Sequence, residues 1–148
     1  MWERIPIDGV DYLAMSRRCT TIGRPKARAP KWWPKPLDYQ LLISVVDNSR
    51  FIRILDSHSG AKYPKRPIRV SVMKTHIDKR FGGDERSYSA TQLFAGLQGF
   101  GNRPVRGFMV AILRDLGGLK ESDEPGVGYP KFVKGNWRDV ERIFESAK

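Results

Sequence analysis

Residues 13–36 carry seven Lys or Arg and no Asp or Glu, and four prolines and a glycine are spaced among them. Proline fixes φ and donates no N–H, so neither a long helix nor an interior strand can run through this segment. The stretch Arg24-Pro-Lys-Ala-Arg-Ala-Pro-Lys-Trp-Trp-Pro-Lys35 is therefore read as extended backbone of one charge sign with two adjacent indoles inside it. Such a strip suits a polyanion that also offers flat rings, and nucleic acid has both. Arg24, Lys26, Arg28, Lys31 and Lys35 are the candidate phosphate contacts, and Trp32 and Trp33 the candidate stacking groups. A solvated Pro-rich linker is the plainer alternative. Two neighbouring indoles left in water weigh against it.

The positive charge extends beyond the strip. Of the net +11 on 148 residues, residues 1–80 supply 17 basic and 7 acidic side chains, whereas residues 81–148 supply 10 and 9. The change falls at Gly82-Gly83, a turn or linker signal, which suggests a basic unit over 1–80 and a second unit over 84–148. A single cysteine, Cys19, excludes an internal disulfide and a cysteine-based zinc site. No run approaches the roughly 18 apolar residues that span a bilayer, and the start Met-Trp-Glu-Arg-Ile-Pro is unlike a secretory signal. The expectation is a soluble protein, cytoplasmic or nucleoid-associated, with no membrane partner.

Apolar periodicity gives an α+β reading. Residues 7–18 are expected to form a short helix. Residues 39–46 and 50–55 are β-branched and apolar, and Asp47-Asn48-Ser49 between them makes a hairpin. Residues 68–72 alternate strictly, with Arg69 and Ser71 outward, which completes a three-stranded antiparallel sheet within about 39–73. Arg53, Arg66 and Arg69, joined by Arg50, Lys62 and Lys65, would carry the basic surface across that sheet.

Ser89 and Gln92 fit a capping box that opens a helix ended by Gly99-Phe-Gly101. Asn102 is a good N-cap, with Pro104 in the first turn of a second helix that stops at Gly117-Gly118. A ribbon over 119–134 follows, and Asn136 caps a last helix with Trp137, Val140, Ile143 and Phe144 on its buried stripe. This order over residues 87–146 resembles a winged helix-turn-helix. The resemblance implies that the second helix reads a major groove from its N-terminal end, where Asn102, Arg103 and Arg106 stand, with Arg114 further along. On the helical wheel Val105, Phe108, Met109, Ile112 and Leu116 face inward, leaving Gly107 and Val110 outward with the arginines. A helical hairpin with a solvated arginine face is the competing reading. Lys131 and Lys134 in the ribbon, with Lys120, are further phosphate contacts, although Glu121, Asp123 and Glu124 make the ribbon tip acidic.

Chemistry is weakly signalled. His58 and His76 each have an Asp two residues away, a spacing that a metal-dependent nuclease could use on a strand. No phosphate-binding glycine loop, nucleophile elbow or cofactor motif occurs. The expectation is thus a non-enzymatic nucleic-acid-binding regulator or accessory factor. Duplex DNA is favoured over RNA, because A-form RNA closes its major groove. Three alternatives stay open: an inhibitor or adaptor docking on an acidic protein surface in a nucleic-acid machine, a ribonucleoprotein component, and a nuclease using His58 or His76.

Overall fold

Asp8 and Gly9 both have positive φ, 49° and 81°. That geometry closes a two-residue hairpin whose twist matches the flanking strands. The strands are β1 (Glu3–Ile7) and β2 (Val10–Thr20), paired from Ile7 opposite Val10 to Glu3 opposite Ala14. The helix expected over 7–18 is therefore a strand: alternation and an Asp-Gly turn prevail over a weak helical pattern. The computed structural model describes residues 1–23, 28, 33–83, 86–97, 103–123 and 130–147.

β2 pairs next with β3 (Pro36–Ser44), which pairs with β4 (Arg50–Asp56), which pairs with β5 (Ile68–Arg69). The result is a five-stranded antiparallel meander in chain order, where three strands were expected. The β3–β4 turn is held by Asp47, whose carboxylate accepts the Ser49 N–H at 2.9 Å. β5 is short because Val70 already begins α1 (Val70–Phe81), whose Val70, Met73, Ile77 and Phe81 are buried. The strict alternation of 68–72 thus runs across a strand end and the first turn of a helix.

α2 (Ala90–Leu93) has the expected capping box: Ser89 accepts the Gln92 N–H, and the Gln92 side chain accepts the Ser89 N–H. α3 (Arg103–Leu116) leads into the ribbon β6 (Leu119–Glu121) and β7 (Phe132–Lys134). Asn136 caps α4 (Trp137–Glu145) by accepting the Arg138 N–H at 3.0 Å. The architecture is α+β.

One apolar cluster joins these parts. Leu37, Tyr39 and Leu41 of β3 and Ile52 and Ile54 of β4 face the helical layer and share a core with Met73, Ile77, Met109, Leu113, Phe132 and Phe144. The opposite sheet face carries a smaller cluster of Tyr12, Ala14 and Leu42, flanked by Ile5, Ile7 and Phe51. β3 is thus covered on both sides, which is why Leu41, Leu42 and Ile43 run apolar without alternation. The division of charge near residue 82 is not a division of packing.

Candidate nucleic-acid interface

The basic segment is the connection between β2 and β3, and its two ends are tied together. The Thr21 N–H donates to the Lys35 carbonyl at 2.8 Å, and the Lys35 N–H donates to the Thr21 hydroxyl at 2.8 Å. Gly23 has φ of 55°, and a Cβ there would lie 2.6 Å from the Pro34 nitrogen, so only glycine allows the two sides to meet this closely. Arg114 of α3 supports the same place by donating to the Thr20 carbonyl at 3.0 Å. Deeper in, Arg17 donates to the Tyr39 hydroxyl (3.0 Å), and that hydroxyl donates to Asp115 of α3 (2.5 Å). Burial, followed by the hydrogen bond to Asp115, holds the Tyr39 phenol well above its usual range.

Beside this pinched base lies a cavity of about 410 Å³. Thr21, Ile22, Gly23, Trp33 and Lys35 wall it on the side of the connection. Ser89, Ala90 and Thr91 line it from the start of α2, and Pro104, Gly107 and Phe108 from α3. Ser59, Pro130 and Phe132 complete the lining, which among the described residues holds one cation and no carboxylate. Trp33 remains 48% exposed.

The expected site residues are spread over several surroundings. Arg24, Lys26, Lys31, Trp32 and Asn102 lie outside the described residues, and Arg103 begins α3. Arg28 and Arg66 are exposed. Trp33 and Lys35 meet at the cavity, and Arg106 stands next to it, donating to the Thr91 carbonyl at 3.2 Å. The remaining cations support the fold. Arg53 donates to Gln40 at 2.7 Å, Arg69 sits 4.8 Å over the Phe51 ring, and Lys134 pairs with Asp78 at 3.3 Å. Arg114 is bound to the end of β2, as above, and Lys131 is half-buried beside β7.

On the outward face expected for α3, Arg106, Gly107 and Arg114 keep partial exposure, whereas Val110 is buried. Met109 to Leu113 have no exposed surface, Val110 included, because α2, the sheet, the ribbon and α4 surround this helix. Its accessible parts are the N-terminal half bordering the cavity and, at the other end, Arg114 and Asp115. Sequence reading picks out Gly107 but not the cavity, which is assembled from segments well separated in the chain and leaves no local pattern.

The two histidines do not come together. His76 packs flat against Phe94, ring centroids 6.2 Å apart, and its Nε2 lies 3.0 Å from the Leu93 carbonyl. Asp78, two residues along the helix, pairs instead with Lys74 at 2.8 Å. His58 Nε2 lies 2.7 Å from Asp38, and its Nδ1 is 3.6 Å from Asp56. These three side chains could offer ligand atoms to a metal ion, but Arg18 already binds both Asp38 oxygens, at 2.6 and 3.0 Å. The guanidinium supplies the countercharge that a metal would bring, and the group forms an ion-pair network. The hydrogen bonds from Arg18 and then His58 hold the Asp38 carboxyl well below the usual carboxylate range.

No family model matches the chain, and no curated protein or solved structure matches it either. Among the described residues no helix is long and apolar enough to cross a membrane.

Proposed function

We propose that the protein binds nucleic acid without transforming it, through the cationic β2–β3 connection and the surface at its base. The observation that carries this reading is the pinned stem of that connection: Thr21 and Lys35 join its ends, Gly23 packs on Pro34, and Arg114 holds the end of β2. A Pro-rich linker needs no such anchoring, whereas a cationic arm presented at a fixed place gains affinity from reduced ordering cost. A non-catalytic role is supported by the packing of His76 and by the ion-pair partners of His58.

The burial of α3 alters the winged-helix reading. A helix enclosed from Phe108 to Leu113 could meet a major groove only with its N-terminal end, where Arg106 stands. Sequence-independent phosphate contacts remain, and they predict a steep salt dependence.

The test is a titration of labelled duplex DNA, single-stranded DNA and structured RNA over a salt series. Replacing Arg24, Lys26, Arg28 and Lys31 by Gln should weaken binding and flatten the log–log salt slope by about 0.7–0.9 for each phosphate no longer neutralised. If the unaltered protein binds none of the three polymers at low salt, the reading fails and the protein-partner alternative takes its place.

A further inference from the structure

Gly107 sits in the second turn of α3, where glycine costs about 1 kcal/mol relative to Ala. Among the described residues nothing explains that cost. A Cβ built at Gly107 meets no atom within 4 Å and would stand in the open space of the cavity. The fold therefore has room for a side chain that the sequence withholds. The contrast with Gly23 is direct, since there a Cβ would strike the chain itself. Across the cavity Trp33 leaves nearly half of its surface in water, although it is among the largest apolar groups in the chain.

We propose that this cavity receives one unpaired nucleobase of a nucleic-acid strand. The proposal rests on the nucleic-acid reading above and specifies the form of nucleic acid. Its volume of about 410 Å³ falls in the range of sites that enclose small ligands, about 300–1,000 Å³. An indole on one wall and the bare helix backbone at Gly107 on another suit a flat ring. Thr21 and Thr91 bring hydroxyl protons for the edge of a base, while the Thr21 oxygen already accepts the Lys35 N–H and Ser59 is bonded to Ser57. Lys35 on the wall and Arg106 beside it favour an anionic ligand, and among the described residues the lining has no carboxylate to oppose one. A base stacked within a duplex cannot enter, so strands with unpaired bases are preferred over continuous duplex.

The experiment compares binding of an oligothymidylate, an abasic strand of equal length and a blunt duplex. The charge per strand is the same in the first two, so their difference reports the base alone. The oligothymidylate should bind about tenfold more tightly than the abasic strand, the scale of one base–aromatic stack. Gly107→Leu, which fills the space while favouring the helix, should abolish that difference. Trp33→Ala should reduce it in the same direction. Equal affinity for the oligothymidylate and the abasic strand in the unaltered protein would overturn the base pocket while leaving nucleic-acid binding intact. Absence of binding to all three would overturn the function itself.

Discussion

Cys19 lies on the sheet face that meets the helical layer, opposite Leu37 in the β2–β3 register. Burial, with the nearby Asp115 carboxylate adding to it, pushes its thiol up to about 12. A thiol of that kind has almost no thiolate at pH 8, where an ordinary cysteine near 8.5 has an appreciable fraction. Cys19 should therefore react with a disulfide reagent far more slowly in the native protein than after denaturation, and equal rates would contradict the burial. The same shift has a stability consequence. A folded pKa above the unfolded value means that the stabilisation is fully present below about pH 8.5 and is lost as pH rises from there, because the unfolded thiol ionises first. Tyr39 adds to this decline from about pH 10 upward, for the same reason. Asp38 acts on the other side of neutrality. Its depressed pKa gives stability that is present above about pH 4 and is lost as pH falls toward the folded value. Thermal melts should show both flanks, with Cys19→Ala flattening the alkaline one and Asp38→Asn the acid one.

At the level of elements, Gly107→Ala should stabilise the protein by about 0.5–1 kcal/mol, because the added Cβ meets nothing and the helix interior gains a better former. Denaturant titration measures this directly, and a loss of stability would mean that the space is not open. The same helix shows what sequence can and cannot reveal. The inward positions Val105, Phe108, Met109, Ile112 and Leu116 are buried as the spacing indicates, since periodicity of 3.6 records the core face. Val110 is buried too, because a central helix is surrounded on nearly all sides and its wheel alone does not say by how much. The caps at Ser89 and Asn136 are legible because each is a local hydrogen bond between residues close in sequence. The β1–β2 hairpin is missed in the sequence: an Asp-Gly pair flanked by alternating Ile5, Ile7, Tyr12 and Ala14 signals it, but residues 7–18 read as a helix. The α1 stripe Val70, Met73, Ile77, Phe81 is hidden by the two strand residues that precede it. The basic strip is recognisable in the sequence as a run of cations and prolines, but the joining of its ends depends on β2–β3 pairing over long sequence distance.

For the molecule as a whole, charge and packing follow different maps. Sequence divides the chain near residue 82 by charge, yet the two ends close on each other: Trp2 donates to the Ser146 hydroxyl at 3.1 Å, and its ring lies 6.3 Å from that of Phe144. Arg50 of β4 stacks 5.4 Å over the same Phe144 ring, which is 1% exposed. Phe144 therefore belongs to a core built by β4, the N-terminus and α4 together, and removal of its ring should be felt by the sheet as much as by the helices. Phe144→Ala is expected to cost about 3–5 kcal/mol. A chain with one core unfolds in one cooperative step, so the midpoints followed by far-UV circular dichroism, by tryptophan fluorescence and by Cys19 accessibility should coincide in the unaltered protein and shift together in the variant. Cys19 reports on the basic half, and with Trp2, Trp32 and Trp33 replaced by Phe the fluorescence of Trp137 reports on the near-neutral half, so separated midpoints would mean two units that melt apart. Coincidence would mean that the cationic connection is held by the entire core, and, on the proposed function, that Phe144→Ala weakens nucleic-acid binding at elevated temperature without removing a cation.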